Sequence, residues 1–206
     1  ADPPQHTADG AIAAYPVFAA SGQGLLNHRQ IDRVQNKDRV VVHAQGAGGV
    51  NPMALPAGGA QLGELGAEVG REPAGILWHR GRILVGIMGG DFVSVVDPVA
   101  RRTERQITVG RGAHAVFEDP RSGLVYVTSR VDSRITALDP QTLDVKHVHE
   151  IGGGPDCLTF DADGTIWATL RWTGRIANLD PRSGAVRLTR VGRSTHGILF
   201  TPAANV

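Results

Sequence analysis

Apolar and polar positions alternate along this chain in short bursts, and each burst ends at a cluster of turn-forming residues. A period of two puts successive side chains on opposite faces, which is the pattern of half-buried β-strands. The clearest series predicts strands at residues 113–117, 124–128, 134–138 and 143–149. The first pair is joined by Asp119-Pro120-Arg121-Ser122-Gly123, where proline presets φ and glycine supplies a positive one. Asp139-Pro140 ends the third strand, because proline has no N–H for a ladder. A second series, at 157–160, 165–169, 175–179 and 185–188, has turns at Asp161-Ala162-Asp163-Gly164 and Asp180-Pro181-Arg182-Ser183-Gly184.

The series recur. Val96-Asp97-Pro98, Leu138-Asp139-Pro140 and Leu179-Asp180-Pro181 stand at intervals of 42 and 41. Gly70, Gly110, Gly152 and Gly192 open VGREPAG, VGRGAHA, IGGGPDC and VGRSTHG at intervals of 40, 42 and 40. A repeat of this length made of four short strands predicts an all-β fold, a β-propeller of four-stranded antiparallel blades. The 206 residues read as one domain with blades at about 25–66, 67–108, 109–150 and 151–190, and a partial blade at 191–206. The blade at 67–108 has a tight first turn, His79-Arg80-Gly81-Arg82. The blade at 25–66 is more diverged, with strands expected near 40–44 and 50–55. Residues 196–200 are expected to start the next blade, and residues 1–24 hold one strand-like stretch at 13–20. About four and a half blades are therefore visible. Either the first residues complete the last blade of a five-bladed ring, or the chain belongs to a six- or seven-bladed one.

Composition narrows the partners. Twenty-one basic against twenty acidic residues give no support to nucleic-acid binding. No apolar run approaches the ~20 residues of a membrane helix. The single cysteine, Cys157, excludes an intrachain disulfide. The small and polar opening, Ala1-Asp2-Pro3-Pro4, suits a mature end after signal cleavage, so an extracytoplasmic (periplasmic or secreted) protein is expected.

In a propeller, the start of each innermost strand lines the central channel, so equivalent positions converge on one axis. Counting four from each opening glycine gives Ala74, His114, Asp156 and His196. His28 joins them if Val40 is matched to Tyr126. Such a ring could hold a divalent metal (magnesium, manganese or zinc) on His28, His114, Asp156 and His196. It could equally supply a general base and acid through His114 and His196, or simply bind channel water. Arg130 and Arg171 each follow a second strand and could clamp a carboxylate or phosphate if their loops fold inward; otherwise they are solvated. Trp172 beside them reads as a ligand platform or as packing between blades. Arg134 and Arg175 read as contacts between blades, and Met88 fits no pattern. His147 and His149 share a face of an outer strand and read as solvated. Residues 161–164 read as a turn rather than a calcium loop. By alternation, Cys157 points away from the side of Asp156.

The pattern Val-Gly-x-x-Pro/Ala, Asp-Pro-x-Ser-Gly, Val125-Tyr126-Val127-Thr128 and Leu-Asp-Pro resembles the YVTN-type propeller repeat. Gly154-Pro155-Asp156, Ile166-Trp167-Ala168-Thr169 and Gly174-Arg175-Ile176 are similar to the repeat of the streptogramin (virginiamycin B) lyases. The resemblance covers roughly residues 69–200. It implies a propeller; for the lyases it also implies a histidine, a glutamate and a magnesium ion that open a cyclic depsipeptide lactone by elimination. Thr195-His196-Gly197-Ile198 resembles the lyase histidine motif, and the glutamate would lie on a strand after it. Three functions follow as expectations: an exported propeller binding a small ligand or a protein at the channel mouth, a metal-assisted lyase or lactone hydrolase using His196, and a module of a larger redox or sensory protein.

Overall fold

The computed structural model describes residues 31–32, 39–42 and 65–201. Its strands are β1 (Ile31–Asp32), β2 (Arg39–Val42), β3 (Leu65–Glu68), β4 (Pro73–His79), β5 (Arg82–Ile87), β6 (Phe92–Asp97), β7 (Arg102–Thr108), β8 (Ala113–Glu118), β9 (Val125–Ser129), β10 (Arg134–Leu138), β11 (Val145–Glu150), β12 (Pro155–Phe160), β13 (Ile166–Leu170), β14 (Arg175–Leu179) and β15 (Val186–Arg190). Three antiparallel sheets of four sequential strands, β4–β7, β8–β11 and β12–β15, are the three blades expected at 67–190. The described residues contain no helix, hence none long and apolar enough to cross a membrane.

Alternation decides which face each blade buries. Leu84, Val93 and Val95 pack on Val125, Val127 and Leu138 of the following blade. Tyr126, Ile135 and Ala137 in turn pack on Leu158, Ile166, Leu170 and Leu179. Each fully buried Leu or Ile contributes about 1.5–3 kcal/mol, so the blade-to-blade seams hold the fold together. At Gly75 and Gly86 a side chain would meet the His114 carbonyl, so the absence of a Cβ lets this seam close backbone to backbone.

The turns opposite the channel site follow the sequence. Arg80 and Gly81, with φ of 48° and 82°, make the two-residue turn between β4 and β5 with the left-handed backbone that a type I′ hairpin needs. The aspartate of each Asp-Pro landmark caps its own turn. Asp97 Oδ1 accepts from Val99 and Ala100 N–H, and Asp139 Oδ1 from Gln141 and Thr142 N–H. Asp161 Oδ1 accepts from Asp163 and Thr165 N–H, so its carboxylate is used within the hairpin, as expected of a turn.

Two expectations need correction. Residues 196–200 form no strand: no second strand of their own blade lies beside them among the described residues, so there is no ladder to join. In the diverged blade, β2 lies between β1 and β3, and β3 leads into Val69-Gly70 as β7 leads into Val109-Gly110. Val40 is therefore in a third strand, not a second, and the match that put His28 in the ring falls with it. His28 and the strand expected at 50–55 lie outside the described residues.

Candidate functional site at the channel

Three local devices aim the ring residues. Two residues after each opening glycine the backbone turns left-handed, at Glu72, Gly112, Gly154 and Ser194 (φ 53°, 73°, 66° and 50°). The carbonyls of Glu72, Gly112 and Gly154 accept from Met88, Arg130 and Arg171 N–H at 3.0 Å, which ties the loop after each second strand to the start of the first. Each innermost strand then carries a β-bulge, between Pro73 and Ile76, Ala113 and Val116, and Pro155 and Leu158. A bulge interrupts the period of two and re-aims a side chain. It falls on Ala74-Gly75, His114-Ala115 and Asp156-Cys157.

A threonine on the second strand stabilises each of the last two bulges and reaches the next blade. Ala115 N–H donates to Thr128 Oγ1 at 3.0 Å, and that hydroxyl donates to the Asp156 carbonyl at 2.8 Å. Cys157 N–H donates to Thr169 Oγ1 at 3.1 Å, and that hydroxyl donates to the His196 carbonyl at 2.5 Å. His196 thus takes the ring position without belonging to a strand.

The centre of the site is the Asp156 carboxylate, with 0% of its surface exposed. Arg130 donates to Oδ1 through Nε and also approaches it through Nη2. His196 meets Oδ2 through Nδ1, and Arg171 Nη1 lies 3.4 Å from the same oxygen. His114 Nδ1 lies 3.2 Å from the Asp156 carbonyl and 3.3 Å from Oδ1. The His114 and His196 rings are 6.2 Å apart, edge to face. The structure therefore joins the two groups the sequence kept separate: the arginine loops do fold inward, and both guanidiniums converge on the ring aspartate. Met88 belongs here as well. It occupies the loop position of Arg130 and Arg171, and its Sδ accepts from Arg130 Nη1 at 3.2 Å. Its missed signal was its place just after a second strand.

Burial and charge set the protonation. Burial alone would raise the Asp156 carboxyl, but hydrogen bonds from His196 and Arg130 and the nearby His114 outweigh it and hold it below the usual range. Burial and the Arg130 charge push His114 down to about 4, so it is neutral at pH 7. Burial, and secondarily the Asp156 charge, push the Cys157 thiol up to about 11. The bulge brings Cys157 Sγ to 3.9 Å from His196 Nδ1, contrary to the alternation argument, and leaves the residue only partly buried.

Oxygen, sulfur and nitrogen atoms of Asp156, Cys157 and His196 all lie within 4.8 Å of one another, close enough to share a cation. The surroundings do not favour one. Both Asp156 oxygens already carry cationic donors, two guanidiniums would repel a divalent ion, and Cys157 holds its proton. The same surroundings favour an anion. Two guanidiniums share one carboxylate, and Arg171, with 38% of its side chain exposed, holds it by one long contact. His196 is 53% exposed. Trp172 is 59% exposed, and its indole covers Gly154 in its own blade, where a Cβ would come within 2.6 Å. His147 and His149 lie on β11 with ring centres 6.3 Å apart; His147 is exposed, while His149 is half-buried, and burial lowers its pKa.

A family model described as YNCE-like beta-propeller matches residues 69–205. No curated protein matches the chain. Among solved structures, hydrazine synthase of Kuenenia stuttgartiensis is 19% identical over 79% of this chain and 46% of its own, with a TM-score of 0.59. A streptogramin B lyase is 12% identical over 80% of this chain and 51% of its own, with a TM-score of 0.56. The virginiamycin B lyase of Staphylococcus aureus, in a catalytically inactive form with quinupristin, is 13% identical over 81% of this chain and 53% of its own, with a TM-score of 0.54. These likenesses concern the fold. The chain spans about half the length of each of these structures.

Proposed function

The chain belongs to the YNCE-like β-propeller family, and from that premise we propose that it is a binding propeller whose channel mouth takes a small anionic ligand. The observation that carries this reading is the sharing of the buried Asp156 between Arg130 and Arg171. The two guanidiniums carry one more positive charge than the Asp156 carboxylate balances, and Arg171 is the more exposed of the two. A ligand carboxylate or phosphate approaching Arg171 would gain charge-assisted hydrogen bonds from a guanidinium whose position the β13–β14 loop already fixes. His196 would offer a second polar contact and Trp172 an apolar edge. The test is calorimetric titration with citrate and inorganic phosphate at fixed ionic strength. An equivalent of millimolar or tighter binding that R171Q loses or weakens at least tenfold supports the reading; the same number of equivalents at the same affinity in R171Q, or no binding by the unaltered chain, overturns it.

One observation favours a second reading. His196 Nδ1 is held by a fully buried carboxylate, which leaves Nε2 as the free nitrogen of a half-exposed imidazole. A carboxylate that orients a histidine in this way is the arrangement of a general base. In a streptogramin lyase-like reaction His196 would take a proton from a cyclic ester while Arg171 balances the developing charge, with Asp156 as the orienting group. Lactone opening by the unaltered chain, lost in H196A and strongly reduced in D156N, would move the reading from binding to catalysis.

A further inference from the structure

A second cluster of arginines lies at the outer end of the last blade, where the repeat itself shows what is unusual. Each four-stranded blade pairs the first residue of its third strand with the end of its fourth. These pairs are Phe92 with Thr108, Arg134 with Glu150, and Arg175 with Arg190. In the middle blade opposite charges face each other, whereas in the last blade like charges do. Like charges directly opposite across a ladder destabilise it.

The surroundings of Arg175 have changed as well. Arg134 is docked: its Nε donates to the Val109 carbonyl at 2.9 Å, and its Nη2 lies 3.9 Å from Asp132 Oδ2. Its guanidinium fills the space over Gly110, where a Cβ would lie 2.5 Å from Nε. At the matching place in the last blade, Thr173 replaces Asp132 and Arg190 replaces Glu150. Nothing lies within 4 Å of the Cβ direction of Gly152, so Arg175 has not docked there. Arg175 and Arg190 are both exposed, and neither has an acidic partner among the described residues.

We propose that Arg175 and Arg190 form a second anion site, distinct from the channel, that takes the phosphoryl group of a small phosphomonoester. Arg175 and Arg190 stand at paired positions across the ladder, which brings two positive charges and two donor forks to one end of the sheet. A phosphomonoester brings a charge of about −1.5 to −2 at pH 7 and three acceptor oxygens, which matches both counts, whereas a carboxylate matches one charge.

The full chain carrying R171Q, which removes the channel arginine, is titrated calorimetrically with inorganic phosphate, chloride being adjusted to constant ionic strength. About one equivalent of phosphate is expected, weakened at least tenfold by adding R190E. That substitution restores the Arg–Glu pairing of the middle blade and is expected to fold. Phosphate is also expected to raise Tm above the effect of chloride at equal ionic strength, and R190E to remove that difference. An R171Q chain that binds no phosphate, a twofold or smaller effect of R190E, or equal Tm shifts in phosphate and chloride would overturn the proposal and leave only screened repulsion. The channel site is judged separately, by the extra equivalent the unaltered chain binds over R171Q.

Discussion

The blades at 109–150 and 151–190 have the same four strands, bulge, capped turn and left-handed entry, yet they use arginine in opposite ways. In the first, Arg111 pairs with Asp132, Arg121 reaches the Ala162 carbonyl, and Arg134 caps Val109. In the second, Arg175, Arg187 and Arg190 have no acidic partner among the described residues, and Arg171 has only a long contact to a carboxylate already held by Arg130. The backbone of a repeat is fixed by hydrogen bonds and packing that recur in each copy. Its charges are free to differ, and function resides in that freedom.

The strongest way to break the comparison is at Asp156. D156A should destabilise the fold by about 3 kcal/mol, because the partly buried Arg130 loses its partner, whereas D132A at the exposed Arg111 pair should cost far less. Denaturant midpoints of the two variants would compare them directly, and similar values would mean that Asp156 is not the hub.

Acid should strain the site next. His114 is pushed from 6.5 down to about 4 in the folded chain. Between those values the unfolded chain binds a proton that the folded chain refuses, so stability falls as pH drops from 6.5 towards 4, by roughly 2–3 kcal/mol, and is unaffected by this group above 6.5. H114Q should flatten the slope in denaturation curves recorded at several pH values. An unchanged slope would refute the assignment.

Between-blade bonding comes third. T128V leaves the buried Ala115 N–H without an acceptor and should cost about 1–3 kcal/mol. Hydrogen exchange at Ala115 should rise with it, while amides in the β4–β7 blade keep their protection. The smallest effect is the exchange of charges between the two blades. E150R should weaken its blade by under about 1 kcal/mol, and R190E should strengthen the last one by a similar amount. Shifts of the same sign would show that the two pairs are not equivalent.

The blades and their turns were legible because glycine and Asp-Pro do unambiguous backbone tasks at fixed spacing. The offset that brings His114, Asp156 and His196 together was legible for the same reason. The aim of the side chains was not. A bulge leaves no mark in composition, and one extra residue at Asp156-Cys157 turns the thiol towards the imidazole it was expected to avoid. The inward reach of Arg130 and Arg171 depends on loop bonds to Gly112 and Gly154, which no side-chain pattern reveals. The match between Val40 and Tyr126, which brought His28 into the ring, fails because Val40 lies one strand further on in its blade.

The threonine links of the last two blades have a direction: Thr128 reaches forward to Asp156 and Thr169 to His196, each from one copy to the same place in the next, while Gly86 stands at that position in the blade before them. A tandem duplication of one repeat would therefore bring its own socket and its own plug. The seam it creates needs no new complementary surface, because it is the seam already there. What such an event changes at once is the census of side chains around the axis, one more for every copy. On this architecture a gene can alter its ligand by recombination alone, with point mutation left to refine what the extra blade has brought in.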